Sequence, residues 1–88
     1  WMNSELARQA AERLAARLLA RTGTEAGRVG LLYRTAYGRA ATAGETTLAV
    51  EALAEFEALA PRDAKGKLAA WAWLCQAILA ANEFVYTS

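Results

Sequence analysis

The 88-residue chain carries 23 alanines and 25 larger apolar residues, enough for the core of one small domain and not for two. With no histidine and a single cysteine, it lacks the usual ligands of a structural zinc, a Ser-His or Cys-His nucleophile pair, and any internal disulfide. Ten basic and nine acidic side chains leave a formal charge of +1, which points neither to a polybasic nucleic-acid binder nor to an acidic tail.

No stretch approaches the roughly 20 apolar residues that span a bilayer, so no transmembrane segment is expected. The opening Trp1-Met2-Asn3-Ser4 does not read as a signal peptide, and a first residue other than Met reads as an excised piece of a longer polypeptide. Cys75 fits either redox compartment, because a lone buried thiol cannot pair.

Four helices are predicted, and no strand. In the first, from Ser4 to about Arg21, Leu6, Ala10, Leu14 and Leu18 recur every four residues and define the buried side. Asn3 or Ser4 supplies its cap, and Gly23 closes it. Thr24 caps a second helix to about Tyr37, with Val29, Leu32, Tyr33, Ala36 and Tyr37 on its apolar face. Gly27 and Gly30 weaken that helix by about 1 kcal/mol each relative to alanine. Gly38 stands where a left-handed residue would end it.

Thr42-Ala43-Gly44-Glu45 reads as a capping box opening a third helix to about Leu59, with Leu48, Ala49, Ala52, Leu53, Phe56 and Leu59 as its apolar positions. Pro61 forbids smooth continuation. Asp63 caps the fourth helix, whose stretch from Leu68 to Leu79 is apolar almost all round and marks it as central. The fold class expected is all-α, a compact bundle of about four helices over residues 1–88.

Arg13, Arg17 and Arg21, spaced four apart, line one edge of the first helix. Residues 1–44 carry seven Arg against three Glu, a balance of +4; residues 45–88 carry three basic against six acidic side chains, a balance of −3. Like charges at this spacing repel, so the row needs solvent or a partner, and Glu51 and Glu55 are the obvious candidates within the chain. Docking to another protein and phosphate contact are the alternatives.

The Glu51–Glu55 pair reads as a solvated edge rather than an acid–base or metal site, since no His and no pocket-forming loop accompany it. Cys75 has no base or cation nearby and reads as core packing. Trp71 and Trp73 point in nearly opposite directions on a helix, so Trp71 is assigned to the core and Trp73 either to the core or to a partner surface. The glycine spacing matches no nucleotide-binding loop. No catalytic residue, metal ligand or cofactor site is proposed.

Three stretches together resemble a known family: Trp1-Met2-Asn3-Ser4 with Leu14-Ala15-Ala16-Arg17-Leu18; Leu31-Leu32-Tyr33-Arg34 with Tyr37-Gly38-Arg39, Thr42 and Glu45; and the run from Trp73 through Leu74, Cys75 and Gln76 to Asn82-Glu83-Phe84-Val85-Tyr86. The sequence resembles the C-terminal segment of the planctomycete surface domain of the first type, also catalogued as domain of unknown function 1553. A second family of unknown function shares the central and terminal motifs, but the long ending from Leu74 to Tyr86 favours the first.

The resemblance implies the C-terminal part of a large exported bacterial protein, often one with a cytochrome c-type haem domain, and hence an extracytoplasmic location. It supplies no established enzymatic activity for this segment. Ala41 departs from the family's proline before Thr42, which loosens the entry to the third helix. Ala80-Ala81 replace its Asn-Ser before Asn82.

The motif residues read as fold-makers: Tyr33 for packing, Gly38 for chain reversal, Arg39 for bonds to helix-end carbonyls, Thr42 with Glu45 for the cap, and Phe84 with Tyr86 for a tail folded back on the bundle. The function expected is a non-catalytic structural or protein-interaction module whose partners are upstream domains of the same polypeptide or another protein. One alternative is a wall of a shared active site carrying Arg34, Arg39 or Glu83. The other is a freestanding helical adaptor that binds a partner through Trp73 and the tail.

Overall fold

The computed structural model describes residues 5–21 and 23–87, with side chains described as far as Ala81. Four helices follow in chain order, α1 (Glu5–Ala20), α2 (Glu25–Tyr37), α3 (Ala43–Leu59) and α4 (Ala64–Thr87), and no strand occurs among the described residues. The all-α bundle expected from the periodicity is the fold found. Its radius of gyration, 12.3 Å, is that of a close-packed chain of this length.

Each junction is fixed by chemistry written in the sequence. Thr24 caps α2, its hydroxyl accepting from the Gly27 N–H at 3.0 Å. Gly38 ends α2 at φ 71° and ψ 19°, its N–H donating to the Arg34 carbonyl. Asp63 caps α4, its carboxylate accepting from the Gly66 N–H at 3.0 Å. The expected caps Asn3 and Ser4 lie outside the described residues. At the end of α1 the carbonyls of Leu18, in its last turn, and of Arg21, just past it, accept from the Arg28 guanidinium at 3.1 and 2.9 Å, so a cation on α2 closes α1.

α4 is the centre. It packs against all three other helices, most extensively against α1 and then α3, whereas α1 and α3 do not meet among the described residues. Trp71 and Cys75 are completely buried, with Ala70, Ala72, Leu74 and Ile78 around them. Ala11, Leu14, Ala15 and Leu18 of α1, Val29, Leu32 and Tyr33 of α2, and Ala49 and Leu53 of α3 complete the core. The Trp71 indole N–H finds no acceptor among the described residues, a desolvation penalty set against the large apolar area of the ring.

Four residues expected on buried faces lie outside, the small Ala10 of α1 among them. Leu6 is 72% exposed, Leu48 68% and Leu59 79%. A row of every fourth residue advances 40° per step, so by Leu6 the row leading to Leu14 and Leu18 has left the buried arc. On α3 the narrow arc centred on Ala49 and Leu53 faces only α2 and α4, and Leu48 and Leu59 fall to one side of it.

The tail also differs from expectation. α4 runs unbroken to Thr87, about 36 Å of helix, because nothing after Leu79 is Gly or Pro, so its backbone does not fold back on the bundle. The side chains of Glu83, Phe84 and Tyr86 lie outside the described residues.

Gly66 is the tightest backbone approach. Buried in the first turn of α4, it leaves no room for a Cβ, which would overlap the Pro61 carbonyl. Gly66→Ala should therefore destabilise the fold by about 2 kcal/mol or more, lowering the melting temperature by roughly 8 °C or more. Gly30→Ala, where a Cβ would meet nothing, should instead raise stability by about 0.5–1 kcal/mol. Thermal denaturation of the two variants checks both signs.

Candidate functional site

The central motif folds into one corner between α2 and α3. Gly38 reverses the chain, and Arg39 turns back across the last turn of α2. Its guanidinium carbon lies 5.8 Å from the Tyr33 ring centroid and 5.3 Å from that of Tyr37. The two rings meet edge to face, centroids 5.1 Å apart. Arg39 then forks onto Glu45, both N–H···O distances being 2.8 Å. Two parallel charge-assisted bonds fix direction as well as distance.

Glu45 serves the cap at the same time. One oxygen accepts from the Thr42 N–H at 2.9 Å, and the Thr42 hydroxyl accepts from the Glu45 N–H at 3.1 Å. The capping box expected from Thr42 and Glu45 is present, and Arg39 extends it. With alanine at position 41, the entry to α3 is held by these side chains rather than by a proline ring. The Arg39 fork and the Thr42 N–H hold the Glu45 carboxyl down at about 2. Burial raises the Tyr33 and Tyr37 phenols, Glu45 adds to the rise, and Arg39 opposes it.

The corner is tied to the central helix by Tyr37, whose hydroxyl donates to the Ile78 carbonyl of α4 at 3.0 Å. Tyr33 is 8% exposed and Leu32 fully buried, as packing residues should be. Arg39 departs from expectation: it reaches Glu45 and the adjacent Ala40 carbonyl, not a helix end. Helix-end carbonyls are served by Arg28, which carries no sequence signal because its acceptors lie on another helix. Tyr37 as a link to α4 was likewise invisible, being one more apolar position in the periodicity.

The remaining candidates scatter. Arg34 is exposed and lines an open groove of about 430 Å³ with Gly27, Gly30 and Thr46, its guanidinium bonded to no described residue. Trp73, 37% exposed, stacks edge to face on Phe56 with centroids 5.9 Å apart, at the border of α3 and α4. Glu83 cannot be placed relative to Arg34 or Arg39, its side chain lying outside the described residues.

The arginine row does not meet Glu51 and Glu55, because α1 and α3 flank α4 without touching. The ion pairs among the described residues are Arg8 with Glu5 and Glu12 on α1, and Arg39 with Glu45. No three His, Cys, Asp or Glu side chains among them could hold a metal ion, and no described helix is long and apolar enough to cross a membrane. Comparison of the chain with protein families, with curated proteins and with solved structures gave no match.

Three measurements test this corner and the buried thiol of α4. Thr42→Ala should destabilise the chain by about 1 kcal/mol in denaturant unfolding. The folded chain keeps Glu45 ionised to lower pH than the unfolded chain does. Its stabilisation is therefore complete above about pH 4.5 and is lost as the pH falls towards about 2. Glu45→Gln keeps the cap and loses the charge, so its stability deficit against the parent chain at about pH 6 should shrink at about pH 2.5.

Burial pushes the Cys75 thiol up to about 12. Iodoacetamide at about pH 8 should leave Cys75 unmodified in the folded chain and alkylate it in denaturant.

Proposed function

We propose that the chain is a non-catalytic structural or protein-interaction module, forming the C-terminal end of a large exported protein of the planctomycete surface type. The observation that carries this reading is the mutual engagement of the motif's polar groups. Arg39 forks onto Glu45, Glu45 and Thr42 close the cap, and Tyr37 holds α4. Side chains so engaged position helices and leave no free acid, base or nucleophile at the corner. The resemblance of the three sequence stretches supports the family and, through it, the extracytoplasmic location. Upstream domains of the same polypeptide or another protein are the partners in this reading.

A second reading rests on Arg34, whose unbonded guanidinium faces the open groove beside Gly27 and Gly30. There it would contribute a cationic group to an active site completed by upstream domains.

The native polypeptide that contains this segment tests both. The module reading expects an intact mass several-fold above 9.5 kDa and recovery in the exported fraction. A native chain of about 9.5 kDa overturns it in favour of a freestanding adaptor. Within the native protein, Arg39→Ala should lower the melting temperature, and Arg34→Ala should change neither melting nor activity. Loss of activity on Arg34→Ala with melting unchanged would establish the shared wall instead.

A further inference from the structure

The unpaired charges form two matching edges. Arg13 and Arg17 of α1 and Arg21 just past its end are exposed, and none of their guanidinium groups is bonded to a described residue. Between Arg13 and Arg17 runs an open groove of about 490 Å³ floored by Ala10, Leu14 and Ala16. On α3, Glu51 and Glu55 are exposed and equally unbonded to any described residue. They stand between Leu48 and Leu59, two of the most exposed large apolar side chains among the described residues.

Both charge rows step by four residues, about 6 Å along a helix, so arginines and glutamates fall into register whichever way the helices run. One edge is a cationic rim around an apolar furrow, and the other is an apolar ridge bearing carboxylates. They cannot meet within one chain, because α4 lies between α1 and α3.

We infer that this chain self-associates head to tail, the Arg13–Arg17 edge of α1 in one copy receiving the Leu48–Glu51–Glu55–Leu59 ridge of α3 in the next. The contact is heterologous, so it leaves a free edge of each kind at the ends and propagates unless a ring closes. Opposite charges at matched pitch select the partner and the register, while burial of the leucines excludes water between them. The α2–α3 corner takes no part, and the inference stands whether or not the segment ends a larger protein.

Sedimentation velocity on the full chain, against concentration and salt, tests it. A weight-average mass rising above 9.5 kDa with concentration is expected, the association weakening as sodium chloride is raised because the pairs are exposed to solvent. Glu51→Lys with Glu55→Lys, and separately Arg13→Glu with Arg17→Glu, should each weaken association by about tenfold or more. An equimolar mixture of the two double variants should associate again, a rescue that damaged folding could not produce. Leu48→Ser should also weaken association at unchanged salt dependence. A chain that stays monomeric at about 1 mM and low salt, charge-reversed variants that associate like the parent, or a mixture that fails to rescue would each overturn the inference; so would an inert Leu48→Ser.

Discussion

Every helix of the chain leans on α4, and α4 can serve three neighbours only because its middle is apolar around nearly its whole circumference. Trp71 is the pivot: completely buried, it is the largest of the fully buried side chains among the described residues. Around it the neighbours are mostly alanine and leucine, and alanines such as Ala11, Ala15 and Ala70, all fully buried, let helix backbones come close. The entry of α4 is equally constrained, since Gly66 packs under the Pro61 carbonyl and fixes the angle at which the last helix leaves the turn. Core and turn specify one direction for α4, and the other helices are placed by reference to it.

The α2–α3 corner supplies what a core of small residues does not, which is a unique joint. Hydrophobic contact tolerates sliding, whereas a forked ion pair, a reciprocal cap and a phenol bonded to a mid-helix carbonyl tolerate very little. Arg39 lies over two rings and grips Glu45, so one side chain couples the end of α2 to the start of α3, and Tyr37 carries that coupling to α4. The corner is half exposed, and its contribution is geometric definition more than bulk stability.

Much of this was legible in the sequence because it is local. Thr24, Gly38, Thr42 with Glu45, and Asp63 act on backbone groups within three or four residues of themselves, so spacing alone identifies them. Val29, Leu32, Leu53 and Trp71 were legible because burial of one face imposes a period. What could not be read depends on which helices touch. Leu6, Leu48 and Leu59 satisfy an apolar pattern yet face no neighbour, and the Arg13 row has no acid opposite it because α1 never reaches α3. Arg28 and Tyr37 act on carbonyls of other helices, and Gly66 owes its necessity to a turn whose closeness is three-dimensional. The continuation of α4 past Leu79 was missed for a different reason: aromatic residues near a chain end suggest a folded tail, but without a breaker the helix simply propagates.

The pairing of α1 with α4 has a kinetic side. The most extensive interface in the molecule joins the two helices farthest apart in sequence, and it closes a loop comprising all of residues 21–63. Loop-closure entropy delays such a contact, while the shorter-range docking of α3 on α4 and of α2 on α3 can form early. Helical chains usually fold fast because their contacts are near neighbours. Here the largest interface forms across the longest loop, so α1 docks on α4 late in folding, while the extent of that same interface holds α1 in place once it has docked.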